Sequence, residues 1–148
     1  MIDFIGHIYY AFGALVIIKH LFQIFAFNPI YRVNEWQFRY KEVLGRSPKK
    51  EEFRSREEYD LGETNKVLVF LEFFWALCGL FSANWAIFAS ILIGSIVLSY
   101  LLKSFSFTLF GKAFSIFLIL SKLSLYLLLM ANHFHYHLDL WEIFRSKI

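Results

Sequence analysis

The chain has a single cysteine, Cys78, set inside an apolar run, so no intrachain disulfide can form and cysteine usage marks no redox compartment. It has no Walker loop, no GxSxG elbow, no CxxC pair and no HExxH, which removes the familiar nucleotide, acyl-transfer, redox and zinc-hydrolase signatures. No catalytic residue is assigned, and a role without catalysis of its own is expected. The N-terminus, MIDFIGHIYY, carries Asp3 and no basic residue ahead of its apolar run, so it reads as an uncleaved helix rather than a secretory signal. Fifteen Lys and Arg against twelve Asp and Glu leave a net charge of only +3, scattered along the chain, which argues against a nucleic-acid partner. No internal repeat is visible.

What the chain has in excess is apolar surface. Hydrophobic residues make up 58% of its 148 residues, aromatics 21%, and the mean hydropathy is +0.52. Soluble domains are roughly 45–50% apolar, and one compact domain of this length could not hide the surplus. Four apolar runs stand out, at about 2–27, 66–82, 84–102 and 113–132. Crossing a bilayer takes roughly 17–25 helical residues, and the runs lack the alternation of barrel strands. The expected fold is therefore all-α: one membrane domain over 1–148, with four transmembrane helices and bound lipid.

The loop 28–65 holds Arg32, Arg39, Lys41, Arg46, Lys49, Lys50, Arg54 and Arg56, and Lys103 and Lys112 bracket the last connection. Only Arg145 and Lys147 stand at the opposite end. The positive-inside rule puts both loops on the cytoplasmic or matrix side of a bacterial or organellar inner membrane, with both termini outside. Within the loop, Val33, Trp36, Tyr40 and Val43 recur at three- and four-residue steps, the pattern of one apolar helix face. Gly45 suits its C-terminal cap, and Ser47-Pro48 reads as the start of a second, polar helix with Glu52 and Arg56 paired at i, i+4. The apolar face is expected to lie among headgroups or on a partner subunit.

Three constellations carry chemical interest. Lys19, Glu72 and Lys122 come from three different spans, at depths of roughly 12, 9 and 15 Å from the inner face at 1.5 Å per residue, with His20 and Ser95 near the same layer. An ionised side chain there costs at least ~2.5–3.5 kcal/mol unless paired or hydrated. Glu72, too short to reach water, is expected to point into the protein toward Lys19, His20 or Lys122. At the outer face His7 and the NHFHYHLDLW segment bring His133, His135 and His137, and the i, i+4 pair His133 and His137 has the spacing to ligate a metal, or with His7 a haem. On the third span Ala86, Ser90 and Gly94 recur every four residues, a small-residue face for close helix packing.

Four spans, an inner first loop and outer termini resemble the architecture of the membrane-associated eicosanoid and glutathione metabolism family. Where the family carries an Arg-rich, Asn- and Glu-containing signature, this chain reads REEYDLGETNKVLVFLE, with Arg56, Glu63, Asn65 and Glu72 at other spacings. The likeness is of topology, and topology does not carry function. The reading that follows is a small non-catalytic subunit packed with other subunits in a larger membrane assembly. The alternatives are a homo-oligomeric channel or transporter using the charged layer, and a redox subunit using the outer histidines.

Overall fold

The computed structural model describes residues 2–82, 84–101, 107–136 and 146. It is 87% helical, with no strand among the described residues. Five helices follow one another: α1 (Ile2–Phe25), α2 (Phe27–Leu44), α3 (Arg56–Gly79), α4 (Trp85–Leu101) and α5 (Leu109–Ala131), the last running on into a π turn at Asn132–Tyr136. α1 lies against α2, α3 and α5, while α4 packs principally on α3.

Two helical segments are long and apolar enough to cross a membrane, Ile5–Phe25 and Leu109–His135. Their side chains face outward: only 11% of the most apolar stretch of the second is buried, the reverse of a soluble core helix. α3 and α4 fall short of that test, although the sequence offered both as spans. α3 has the length, but its first half, REEYDLGETNK, is polar, so its apolar part runs only over 67–79, about 20 Å. α4 has 17 residues.

Inside the bundle, the core is aromatic and built around Trp75. Its indole N–H donates to the Tyr9 carbonyl at 3.0 Å, and the Tyr9 hydroxyl donates back to the Trp75 carbonyl at 2.7 Å. The Tyr9 ring stacks on the indole, and Phe88 and Tyr126 meet it edge-on, with centroids 5.2 and 5.3 Å away. Such pairs add about 0.5–1.5 kcal/mol each beyond area burial. Close approach is made possible by glycines. A Cβ on Gly13 would stand 2.8 Å from the Trp75 ring, and one on Gly79 would fall within the Phe88 ring.

The loop departs from expectation in three places. The first helix stops at Phe25, short of the end of the 2–27 run. The break falls at Ala26, and Pro29 sits in the first turn of α2, where its missing N–H costs no helical bond. The face of α2 is carried by Ile30 and Val33, which are buried, with Trp36 and Tyr40 half-buried, while Val43 is 81% exposed. This face packs on α3 of the same chain: Val33 and Gln37 abut Gly62, and Trp36 meets Phe53 at 4.9 Å. Val43 lies in the last turn, just before the chain reverses at Gly45 (φ 68°).

Finally, the polar helix is not continuous. A 3-10 turn at Lys50–Glu52 comes first, and α3 starts only after Ser55, whose hydroxyl caps the Glu58 N–H at 3.1 Å. Glu52 pairs with Arg46 at 2.6 Å instead of with Arg56, which reaches Asp60 at 3.6 Å.

The Arg46 guanidinium, then the Tyr40 hydroxyl and the Lys49 backbone N–H, hold the Glu52 carboxyl well below the usual carboxylate range. A depressed carboxyl stabilises the turn fully above its unfolded pKa and loses that contribution as pH falls through the folded one. The Glu52 side-chain resonance should therefore titrate below the ordinary carboxylate range in the native chain. In Arg46→Ala it should move back up toward that range, and an unchanged titration would show that the pair does not persist in solution.

Candidate functional site: a buried charge cluster

α3 turns inward along one stripe. Its buried residues are Gly62, Asn65, Glu72, Trp75, Ala76 and Gly79, spaced by three or seven apart from the adjacent pair Trp75 and Ala76. Every large apolar side chain between 67 and 77 apart from Trp75 is on the opposite side or only partly covered; Val67, Phe70, Leu71, Phe73, Phe74 and Leu77 are exposed. The helix is therefore apolar outside and small or polar inside, which places Glu72 against α1 and α5.

There the structure brings Lys19, His20, Glu72 and Lys122 together. The Lys19 ammonium pairs with Glu72 Oε2. Lys122 Nζ donates to Oε1 at 3.1 Å, and the Tyr126 hydroxyl donates to the same oxygen at 2.9 Å. His20 Nε2 stands 3.7 Å from Oε1, beyond hydrogen-bonding distance. Its Nδ1 lies 2.7 Å from the Val16 carbonyl, so Nδ1 carries the hydrogen. Nε2 is left buried without a hydrogen bond. Lys19, His20, Glu72 and Tyr126 are all buried, and only Lys122 keeps partial exposure, 30% of its side chain.

One carboxylate thus ties three helices. α1 supplies Lys19 and His20, α3 supplies Glu72, and α5 supplies Lys122 and Tyr126, one turn apart on the same face. Tyr126 escaped the reading of the sequence, although its i, i+4 relation to Lys122 was the available signal. Toward the loop end, a second polar contact joins α1 to α3, with Gln23 donating to Asn65 Oδ1 at 2.9 Å. It borders a cavity of about 240 Å³ that Tyr31, Asn34 and Ser115 also line.

A larger cavity, about 360 Å³, opens between α3, α4 and α5 directly over the cluster. Phe73, Ile91, Leu92 and Ile96 form apolar walls, and Lys122, Tyr126 and Ser95 contribute polar atoms.

The other two constellations are placed differently. His7 and His133 meet edge to face with centroids 5.0 Å apart, and His133 stacks on Tyr10 at 4.1 Å. Rings in direct contact leave no room for a porphyrin between them. His137 lies outside the described residues, and His135 is exposed. Among the described residues no group of three His, Cys, Asp or Glu side chains is placed to hold a metal ion. On α4, Ala86 is buried but Ser90 is exposed, its hydroxyl turned back to the Ala86 carbonyl at 2.8 Å. A Cβ on Gly94 would meet nothing within 4 Å. Among the described residues Gly13, Gly62 and Gly79 stand at close helix contacts, whereas Ser90 and Gly94 do not.

Comparison with protein-family models, with curated proteins and with solved structures finds no match in any of the three.

Proposed function

We propose that this chain is a small, non-catalytic membrane subunit that packs into a larger assembly, with α1, α3, α4 and α5 as its four spans. The observation that carries this reading is a groove left open among the described residues. α4 leans on α3, and the groove between α3, α4 and α5 leaves the Lys122 side chain partly uncovered at mid-helix. In lipid such a surface is costly to leave open, because a cation at that depth is neither hydrated nor fully paired. The short apolar part of α3 points the same way, since a span shorter than the hydrocarbon thickness gains from neighbours that cover its ends.

Glu72 supports a structural role over conduction. Its two oxygens are taken up by Lys19, Lys122 and Tyr126 of the chain itself, an arrangement that fixes helix positions. The basic loop 28–65 then lies on the cytoplasmic or matrix side.

The test is the composition of the native particle. Extraction in mild detergent, followed by a detergent-corrected mass measurement, should give a particle well above the 17.6 kDa of one chain, with other polypeptides in fixed stoichiometry. A monodisperse single chain, or an oligomer of this chain alone, would overturn the assignment.

A further inference from the structure

We infer that the groove between α3, α4 and α5 receives a membrane-spanning helix of a different chain, one that carries an aspartate or glutamate at mid-span to pair with Lys122. The inference rests on the subunit reading and names the chemistry of the partner. It starts from a charge count. The cluster holds two lysines, Lys19 and Lys122, against one carboxylate, Glu72, so it carries one positive charge in excess. Lys19 is buried against its partner. Lys122 shares Oε1 with the Tyr126 hydroxyl, keeps 30% of its side chain exposed and lines the groove. The groove is otherwise apolar, with Ile91, Leu92 and Ile96 of α4 facing Phe73 of α3. An anion that enters by way of an apolar wall is what such a site complements.

Depth decides what supplies the anion. Lys122 lies thirteen residues after Leu109 and nine before Ala131 on α5, about 20 and 14 Å from the two helix ends. A lipid headgroup or fatty-acid carboxylate sits at the interface and would have to be drawn inward by that distance. A side chain on a transmembrane helix is held at any depth by its own backbone, and a carboxylate paired there loses the cost of lying unpaired in hydrocarbon. A second copy of this chain does not fit. Its acidic residues are Asp3, Asp139 and Glu142 near the ends, eight in the loop 28–65, and Glu72. Glu72 is the only one at mid-depth, and it is already committed. The complementary acid therefore belongs to another polypeptide.

The experiment places a diazirine-bearing residue at Ile96, on the groove wall, in the full chain in its native membrane. Irradiation is followed by sequencing of the cross-linked peptide. The expected adduct is a membrane-spanning segment of another protein with Asp or Glu within one turn of the attachment point. Lys122→Met should lower its yield at least about tenfold, since tenfold is ~1.4 kcal/mol and an unpaired ion at that depth costs more. Lys122→Arg should keep the adduct, and Lys112→Met, at the other end of α5, should leave it unchanged. The composition of the adduct is read in the unsubstituted bundle, so it decides the matter even if Lys122→Met fails to fold. An adduct with lipid, with a second copy of this chain, or with a segment lacking an acid within one turn would overturn the inference, as would no protein adduct. If the purified particle still contains other chains, that failure is of the groove alone. If it contains none, the subunit reading falls with it.

Discussion

Replacing Glu72 with leucine should destabilise the bundle by about 3–5 kcal/mol, the cost of removing one partner from a buried ion pair and leaving the other uncompensated. Here two cations lose their partner, Lys19 and Lys122, and the Tyr126 hydroxyl loses its acceptor. Leucine restores volume but offers nothing to any of the three. Glu72→Gln is the milder change, since its amide oxygen can still accept from Tyr126, and its loss should fall below that of leucine. The triple variant Glu72→Leu, Lys19→Met, Lys122→Met should recover most of the stability, because an apolar set of similar volume commonly replaces a buried ion network at little cost. Reversible unfolding in mixed micelles measures all three. If Glu72→Leu unfolds like the parent, the cluster contributes nothing to the fold, and the carboxylate is held for another purpose.

A lone carboxylate within an apolar helix has few physical outcomes, since its side chain is too short to reach water. Depth counting at 1.5 Å per residue brought Lys19 and Lys122 to the same layer. That reasoning needs only position along each helix, and position is what sequence carries best. Rotation about each helix is harder. The inward stripe of α3, Gly62, Asn65, Glu72, Trp75, Ala76 and Gly79, is a small and polar set in an otherwise bulky apolar helix. In lipid that pattern marks the inner face. Hydrophobic periodicity, by contrast, describes only the outside of this helix.

The row on α4 misled for a related reason. Ala86, Ser90 and Gly94 have the right spacing, but spacing does not say whether a neighbour is there. α4 packs on α3 through Phe88, which is fully buried, and Gly94 faces open space. In the loop, the periodicity of Val33, Trp36 and Tyr40 gave the helix and its cap, whereas its partner came from the tertiary fold. Periodicity defines an apolar face without naming what covers it. Glu52 and Arg56 do not pair because no helix runs through both: Ser55 is extended (φ −148°, ψ 161°) and caps the next helix.

The α3–α4 hairpin gives the second large effect. Gly79→Val should separate the two helices, because even the first atom of the new side chain falls within the Phe88 ring, beside the Cγ that is fixed next to the α4 backbone. The ring is closely packed: Phe88 is fully buried, met edge-on by Trp75 at 5.2 Å and Tyr9 at 6.1 Å. The helix itself must move, and overpacking of this kind costs typically 1–3 kcal/mol and occasionally more. Valine is the better helix former than glycine by a few tenths of a kcal/mol, so helix propensity opposes the loss and does not explain it. Two features separate this steric account from a general loss of helix. Gly79→Ala should already weaken the hairpin, although alanine is the better helix former by about 1 kcal/mol. Phe88→Ala combined with Gly79→Val should be more stable than the sum of the two single losses, since the cavity left by one takes the methyl groups of the other. A cysteine pair across the hairpin, placed at exposed Leu77 and Trp85 after removal of Cys78, would report the separation by its cross-linking rate. Should Gly79→Val cross-link and melt like the parent, α3 and α4 do not approach as closely as the Gly79–Phe88 contact requires.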